Sequence, residues 1–154
     1  MRLSPADFAA VVRHAPLVSI DLVVRNRHGE ILVGLRRNRP AQGHWFVPGG
    51  RIGKGERIPE AFERITRAEL GIESRIEHAA FLGVFEHIYE DNFSDDPSFG
   101  THYVVLGYAL SADQTSLALP SDQHENYRWL PESVLMKAKD VHDYTKRYFA
   151  KGDY

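Results

Sequence analysis

The chain has 154 residues, of which 43% are hydrophobic and 26% charged, and its formal net charge is -2 at pH 7. This length can bury one hydrophobic core and is short for two, so a single domain over residues 1–154 is predicted. The weak net charge argues against a nucleic-acid polymer as partner, because polyanions need a broad basic surface. The absence of cysteine excludes disulfides, thiolate metal ligands and thiol catalysis. No uncharged stretch approaches about 18 residues, so we expect no membrane span and no signal peptide, and a cytoplasmic protein.

The N-terminal third predicts a short helix followed by a β-hairpin. Ser4 marks the helix start, because it precedes a proline and a run of apolar residues at helical spacing. Two β-rich runs follow at residues 17–24 and 30–35, around a turn at residues 27–29. Asp21 puts a charge inside the first run and therefore requires either a partner or a function.

The central segment predicts a strand, a loop and a helix. A short apolar strand at residues 45–47 leads into a loop at residues 48–50. A helix follows, with Pro59 in its first turn, apolar residues on one face and Gly71 as its C-terminal stop.

The C-terminal half predicts three more strands and a closing helix. The strands span residues 81–89, 103–110 and 126–130, and the helix spans residues 141–149. The polar stretch between the first two of these strands, residues 90–100, is long enough to be a functional loop. The order of the elements predicts an α/β sandwich with a central mixed β-sheet.

One segment carries six residues at fixed spacing, in the pattern G-x5-E-x7-R-x4-E-x-G-[IVL]: Gly50, Glu56, Arg64, Glu69, Gly71 and Ile72. A glycine loop before a helix with a late carboxylate is suited to holding Mg²⁺ against a diphosphate. Next to that loop, Glu69 is predicted to bind the metal rather than to be a solvated helix charge. Glu56 and Arg64 are predicted to form a structural ion pair between loop and helix.

This segment resembles the Nudix box, a hydrolase motif with the pattern G-x5-E-x7-R-E-U-x-E-E-x-G-U, where U is a bulky aliphatic residue. Ile65 and Ala68 replace two glutamates that help ordinary family members to gather two or three metals for water attack on phosphorus. Their loss could indicate an inactive protein, yet it also matches one branch of the family, the GDP-mannose mannosyl hydrolases. The similarity to that branch extends over nearly the whole chain, at residues 38–43, 45–50, 91–94, 101–107 and 123–124.

The resemblance implies a Nudix-type α/β/α sandwich and a reaction at carbon. One Mg²⁺ per subunit, replaceable by Mn²⁺, would be bound by the main-chain carbonyl of Gly49 and the side chains of Glu69 and Gln123. His124 would take a proton from the water that attacks C1 of the sugar, because histidine is a suitable general base near neutral pH. A plain surface histidine is the competing interpretation of that position. The substrate would be GDP-mannose or a related GDP-hexose, and the protein would be a homodimer.

Further side chains are candidates for contact with the substrate. Arg36 and Arg51 flank the glycine loop, and guanidinium groups pair well with the phosphates of a departing GDP. Arg37 and Arg39 are competing phosphate contacts. Departure of the sugar requires oriented groups around it, and four residues are candidates for this: Asp21, His87, Tyr89 and Tyr103. The resemblance places Asp21 and His87 near the sugar and the leaving group. The catalytic candidates are therefore His124, Asp21, His87, Arg36 and Tyr103, and the substrate-binding candidates are Arg36, Arg51, Tyr89 and Tyr103.

Alternatives remain open for the buried charges and for the activity. Asp21 and His87 both interrupt apolar strands and could simply satisfy each other. An ordinary Nudix pyrophosphatase would attack phosphorus and release GMP and mannose 1-phosphate, but the residues that replace the two glutamates argue against it. A non-catalytic module that binds nucleotide sugars is the third interpretation. The pair Gln123-His124, together with an intact Glu69, argues against a module that has lost its catalytic residues.

Overall fold

A computed structural model of the chain describes residues 2–120 and 124–150, with the backbone alone described for residues 124 and 125. Its helices and strands, numbered in chain order, are α1 (Pro5–His14), β1 (Leu17–Arg25), β2 (Ile31–Arg36), β3 (Trp45–Phe46), β4 (Gly49–Arg51), α2 (Ile58–Leu70), β5 (Ala80–Tyr89), β6 (Thr101–Ser111), β7 (His124–Leu130), α3 (Glu132–Lys137) and α4 (Asp143–Lys146). Two short 3₁₀ turns lie at Ile76–His78 and Gln114–Ser116.

The strands form one mixed sheet in the order β3-β2-β1-β6-β5, with β4 paired to β1 and β7 paired to β2. The β1–β6 pair is parallel and the other strand pairs are antiparallel. The central mixed sheet that the sequence predicts is therefore confirmed. Because β4 takes over the pairing with the first half of β1, the glycine segment becomes part of the sheet.

Each face of the sheet packs against a different layer, because successive side chains of a strand point to opposite faces. Ile20 and Leu22 of β1 pack in the same buried cluster as Phe62 and Ile65 of α2. Asp21 and its odd-numbered neighbours therefore point to the other face. That face carries the cluster formed by Val23 of β1, Phe85 of β5, Val105 of β6, Leu135 of α3 and Tyr148, which follows α4.

The ends of two predicted helices have the expected chemistry. The side chain of Ser4 accepts a hydrogen bond of 3.1 Å from the main-chain nitrogen of Asp7, which caps α1. Gly71 ends α2 in the left-handed region, at φ 68°. Among the described residues, no helix is long and apolar enough to cross a membrane.

Two local predictions are wrong. The helix predicted at residues 141–149 is only the four residues of α4, and Val141 instead forms a bridge to Trp45. Hydrogen bonds from Trp45 N to Asp140 O (2.8 Å) and from His142 N to Trp45 O (3.0 Å) hold that segment extended beside β3. The predicted loop at residues 48–50 is also wrong in part, since its two glycines begin β4.

Candidate active site

Two adjoining clefts open on the face of the sheet that carries Asp21. The first has a volume of about 150 Å³, and its lining includes seven of the predicted site residues: Gly49, Asp21, Arg36, Arg51, His87, Tyr89 and Tyr103. The second has a volume of about 240 Å³ and is lined by residues of α1, the segment after β2 and the loop before β6. The walls of both clefts include Arg36, Pro40, Arg51 and Tyr103. The site is therefore one groove in which two arginines lie between two compartments.

A row of glycines makes room for Asp21 in the middle of the sheet. Asp21 lies opposite Gly49 of β4 on one side and Gly107 of β6 on the other, and Gly107 lies opposite Gly83 of β5. A methyl group on Gly49 would lie 2.3 Å from Asp21 Oδ1, so the carboxylate occupies the space that a side chain would need. A methyl group on Gly107 would lie 3.2 Å from the ring of Tyr148. The sheet thus contains a trough that holds Asp21 and admits Tyr148.

Asp21 and His87 meet through the hydroxyl group of Tyr148. This hydroxyl donates a hydrogen bond of 2.5 Å to Asp21 Oδ2 and lies 3.5 Å from His87 Nε2. All three side chains are buried. Sequence reasoning assigned Tyr148 to the apolar face of a helix and missed this contact. The available signal was Gly107, since a glycine inside a strand often marks the close approach of another group.

Burial changes the protonation of these groups. The buried site raises the pKa of Asp21 to about 7, although the hydrogen bond from Tyr148 and the charge of Arg36 act to lower it. Burial, with smaller effects from His142 and Arg147, lowers the pKa of His87 to about 3. His87 is therefore a neutral imidazole at neutral pH, and the Asp21 carboxyl gains and loses its proton near pH 7.

Aromatic packing fixes the orientation of His87. Its ring stacks on Tyr144 with a centroid distance of 4.5 Å and an interplanar angle of 3°. The Tyr144 hydroxyl in turn donates to the main-chain oxygen of Ile88 (2.7 Å) and accepts from its nitrogen (3.1 Å). Tyr89 packs edge-on against Tyr144 at 5.3 Å, and burial raises the pKa of its phenol well above the ordinary value. His87 and Tyr89 therefore present neutral hydrogen-bonding groups to the first cleft.

The carbonyl group of Gly49 points away from β1. Hydrogen bonds from Leu22 N to Pro48 O and from Ile52 N to Val18 O, both 2.8 Å, fix the register of the β1–β4 pair. In an antiparallel pair, every second residue directs its N–H and C=O groups away from the partner strand, and in this register Gly49 is such a residue. Its oxygen is thus directed outward from the edge of β4.

Glu69 is buried on the helix that packs against β4. A methyl group on Gly50 would lie 3.1 Å from Ile65 Cγ1, so that face of α2 contacts the glycine strand. Glu69 is four residues later, on the same face of the helix, and its residue is only 8% exposed. The interpretation of Glu69 as a solvated charge is therefore wrong. Among the side chains that the structure describes, those of residues 2–120 and 126–150, no group of three or more His, Asp or Glu is arranged to hold a metal ion.

The predicted ion pair between Glu56 and Arg64 is confirmed. Arg64 Nε lies 2.7 Å from Glu56 Oε2, and its terminal nitrogen lies 2.9 Å from Oε1. The same guanidinium donates to the main-chain oxygen of Arg51 at 2.7 Å. This hydrogen bond, together with the pairing to Glu56, ties α2 to the end of β4. The bidentate hydrogen bonds lower the pKa of Glu56 to about 2.

The predicted base, His124, is the first residue of β7. The register of the β2–β7 pair puts the backbone of His124 opposite that of Arg36, which lines both clefts. Gln123, the predicted third metal ligand, lies outside the described residues.

The second cleft is aromatic and basic. Phe8 of α1 and Phe93 have a centroid distance of 4.6 Å, and the guanidinium of Arg51 lies 4.1 Å above the Phe8 ring. Phe93 is 38% exposed and lines this cleft. Arg39, predicted as a competing phosphate contact, forms an exposed ion pair of 3.0 Å with Asp95. In the sequence, Phe93 was noted only as part of the resemblance at residues 91–94 and was not predicted to line a cleft.

The predicted functional loop before β6 is organised by one buried asparagine. The Asn92 side chain donates to the main-chain oxygens of Asp96 and Phe99, each at 2.7 Å, and accepts from Ser94 N at 2.9 Å. Asn92 is fully buried. These hydrogen bonds position the residue that follows Asn92, Phe93, in the wall of the second cleft.

Comparisons with known proteins agree with this architecture. A family model described as the NUDIX domain matches residues 15–151. The low-salt glycan biosynthesis protein Agl8 of Haloferax volcanii is 35% identical over 147 residues, which cover 96% of this chain and 88% of that protein.

Solved structures share the fold. The MutT NUDIX hydrolase from Burkholderia pseudomallei is similar with a TM-score of 0.69 and 27% identity, over 88% of this chain and 96% of that one. The NUDIX domain of Shewanella oneidensis NrtR, crystallised with ADP ribose, has a TM-score of 0.66 at 17% identity, with 96% of each chain covered. The family match covers most of the chain, and the Nudix box spans β4 and α2 as the fold requires. The chain therefore belongs to the NUDIX domain family.

Proposed function

We propose that this Nudix protein hydrolyses GDP-mannose, or a related GDP-hexose, to the free sugar and GDP by attack of water at C1 of the sugar. One observation carries the proposal: two compartments of different chemistry meet at Arg36 and Arg51. Guanidinium groups bind phosphate oxygens well, so the shared wall suits the diphosphate of a nucleotide sugar. A sugar on one side and a nucleoside on the other then match the two clefts.

The first compartment fits a hexose. Its polar wall is formed by Asp21, His87, Tyr89 and Tyr103, which offer acceptors and donors at fixed positions for sugar hydroxyl groups. Burial raises the pKa of both tyrosines, so these phenols remain hydrogen-bond donors at neutral pH. Groups that are held rigidly can favour the oxocarbenium-like geometry at C1.

The second compartment fits a nucleoside. The rings of Phe8 and Phe93 and the guanidinium of Arg51 offer flat surfaces on which a purine can stack. This compartment also borders Arg36, so a base there would be joined to a diphosphate at the shared wall. The geometry therefore favours a nucleotide sugar over a sugar phosphate without a base.

The reaction uses groups on both sides of the diphosphate. His124, whose backbone lies opposite Arg36, is the proposed base that takes a proton from the attacking water. The oxygen of that water bonds to C1, and the bond from C1 to the phosphate oxygen breaks with its electron pair retained by GDP. Arg36 and Arg51 stabilise the charge that develops on GDP. Displacement by water inverts the anomeric centre.

The residues near β4 fit one hard cation. The main-chain oxygen of Gly49 and the carboxylate of Glu69, with Gln123, are the proposed ligands of a single Mg²⁺, which Mn²⁺ can replace. When bound, the cation supplies electrostatic stabilisation of the leaving diphosphate. Attack at carbon does not need the additional carboxylates that ordinary Nudix pyrophosphatases have where this chain has Ile65 and Ala68.

The relative from Haloferax volcanii supports a substrate of this class, since its name assigns it to glycan biosynthesis. The bound ADP ribose of the Shewanella oneidensis domain is a nucleoside diphosphate joined to a sugar, so a domain of this fold accommodates that ligand class. A homodimer remains a prediction from the family resemblance, and light scattering after size-exclusion chromatography measures it.

Hydrolysis in ¹⁸O-enriched water tests the proposal. Wild-type enzyme with Mg²⁺ and GDP-mannose should release mannose with the label at C1 and GDP without it, as read by mass spectrometry of both products. Label in GMP or mannose 1-phosphate would instead indicate the ordinary pyrophosphatase. No turnover of GDP-mannose or other GDP-hexoses, with retained binding, would indicate the non-catalytic module.

A further inference from the structure

The hydroxyl group of Tyr148 is the meeting point of two buried polar side chains. It has one hydrogen, and the contact of 2.5 Å commits that hydrogen to Asp21 Oδ2. His87 Nε2 lies 3.5 Å from the same oxygen, at the outer limit of a hydrogen bond. Only lone pairs of the phenol oxygen remain for His87, so this contact is favourable only when Nε2 carries a proton.

The space beside Gly107 allows this contact. Gly107 lies opposite Asp21 in the parallel register of β1 and β6, and its missing side chain leaves room for the Tyr148 ring. That ring also packs edge-on against Phe85 at 4.6 Å. A buried phenylalanine would fill the same apolar space, so packing alone does not require the hydroxyl group at position 148.

We propose that Tyr148 is a positioning residue, whose hydroxyl links His87 and Asp21 in one hydrogen-bonded chain, Nε2–H to Oη and Oη–H to Oδ2. These two hydrogen bonds fix the tautomer of His87 and the rotamer of Asp21 at the wall of the first cleft. His87 then has its single lone pair at Nδ1, and Asp21 keeps Oδ1 beside Gly49. Tyr148 is not among the residues that line the first cleft, whereas Asp21 and His87 are. It therefore acts on the substrate through these two residues.

The first test uses the enzyme alone. Nitrogen-15 NMR of the labelled histidine side chains distinguishes a protonated from an unprotonated ring nitrogen. The chain has eight histidines, so the His87 signals are assigned by their loss in His87→Gln. At pH 8 in wild type we expect Nε2 to carry the proton, and Tyr148→Phe should shift the His87 nitrogens toward a mixture of tautomers. A wild-type His87 that carries its proton on Nδ1 would overturn the proposal, even if Tyr148→Phe did not fold.

The second test is kinetic and rests on the proposed function. Tyr148→Phe should lower kcat for GDP-mannose about 10- to 100-fold, while KM changes little. The reason is that the Tyr148 hydroxyl orients His87 and Asp21, which line the cleft. In an Asp21→Asn background the same change should have a much smaller effect, since the linked group is already altered. Tyr108→Phe, on the opposite face of the sheet, is the matched control and should keep wild-type kcat.

The NMR test and the kinetic test together distinguish a failure of the proposed function from a failure of the positioning role. If wild type hydrolyses no GDP-hexose, the proposed function fails, and the tautomer measurement still decides the role of Tyr148. If wild type is active, and Tyr148→Phe keeps both the His87 tautomer and kcat, the positioning role is wrong and the hydrolase assignment stands.

Discussion

Asp21 and Gly49 face each other across β1 and β4, and the carboxylate of Asp21 fills the space beside the Cα atom of Gly49. Asp21 needs this neighbour because any larger residue would push the carboxylate out of its place. Gly49 also directs its carbonyl group outward from β4. One residue therefore connects the proposed metal site with the proposed sugar site.

Gly49→Ala should both destabilise the protein and disable it. The added methyl group would lie 2.3 Å from Asp21 Oδ1 and 2.6 Å from the main-chain oxygen of Ile20, and that backbone atom cannot easily move. Overpacking of this kind typically costs about 1–3 kcal/mol. Urea unfolding measures the loss. Gly53→Ala is the control, since its methyl group would meet Glu56 at an ordinary contact distance of 3.6 Å. Equal stability of the two variants would contradict the steric argument.

The neutral imidazole of His87 should contribute stability that is lost in acid, while Asp21, whose pKa is raised, acts in the opposite direction. Its folded-state pKa of about 3 lies below the ordinary value of 6.5, so between these values the unfolded chain binds a proton that the folded chain does not. The stability that depends on neutral His87 is therefore present above pH 6.5 and is lost as the pH falls. From pH 6.5 to pH 5, wild type should lose about 1.6 kcal/mol more than His87→Gln from this group.

Urea unfolding at a series of pH values measures this difference. His78→Gln, a change at an exposed histidine, should follow the wild-type curve. Parallel curves for wild type and His87→Gln between pH 6.5 and pH 5 would show that folding does not lower the pKa of His87.

The sequence predicted the elements whose patterns are local. Apolar spacing and capping residues were sufficient for α1 and α2, and β-rich runs located β1, β2, β5 and β6 to within about two residues. The helix predicted at residues 141–149 failed because the apolar spacing of Val141, Tyr144 and Tyr148 reflects burial against one face of the sheet. Extended and helical segments can both meet that requirement, and only four residues of the segment are helical.

The site was predicted as a set of residues but not as an arrangement. Family resemblance named Asp21 and His87, and the position of Arg36 before the glycine loop named Arg36. The row of glycines beside Asp21, in contrast, depends on the register of four strands that are far apart in sequence. The contact of Tyr148 depends on that register too. Phe93 was unremarkable in a polar stretch, because its place in the cleft follows from the hydrogen bonds of a neighbouring asparagine.

Glu69→Gln should weaken the binding of Mg²⁺ and leave the fold intact. The change removes the negative charge of a proposed ligand and keeps the size of the side chain, so the affinity should fall by about tenfold or more, equivalent to about 1.4 kcal/mol. Turnover should fall with it. Calorimetric titration with Mg²⁺ measures the affinity. Glu63→Gln, an exposed change on the same helix, is the control. Unchanged Mg²⁺ affinity in Glu69→Gln would remove Glu69 from the proposed ligands.

Phe93→Ala should weaken the binding of GDP. Stacking of a base on an aromatic side chain is worth about 1–3 kcal/mol, so the dissociation constant for GDP should rise roughly 5- to 150-fold. Inorganic diphosphate should bind as before, because its proposed contacts are the two arginines. Phe81→Ala removes another exposed ring, on β5 and outside both clefts, and should leave GDP binding unchanged. An equal loss for GDP and for diphosphate would argue that Phe93 only supports the loop.

His124→Ala should lower kcat by about 10² to 10⁴, the usual contribution of a general base, while KM changes little. The backbone position beside Arg36 puts this residue next to the shared wall of the clefts, where water must approach C1 against the leaving diphosphate. The acidic limb of the pH–rate profile should also disappear, because no histidine then needs to lose a proton before attack. His28→Ala, in the exposed turn between β1 and β2, is the control. A variant with normal kcat and a raised KM would make His124 a binding residue, and the base would then have to be sought among the other groups at the first cleft.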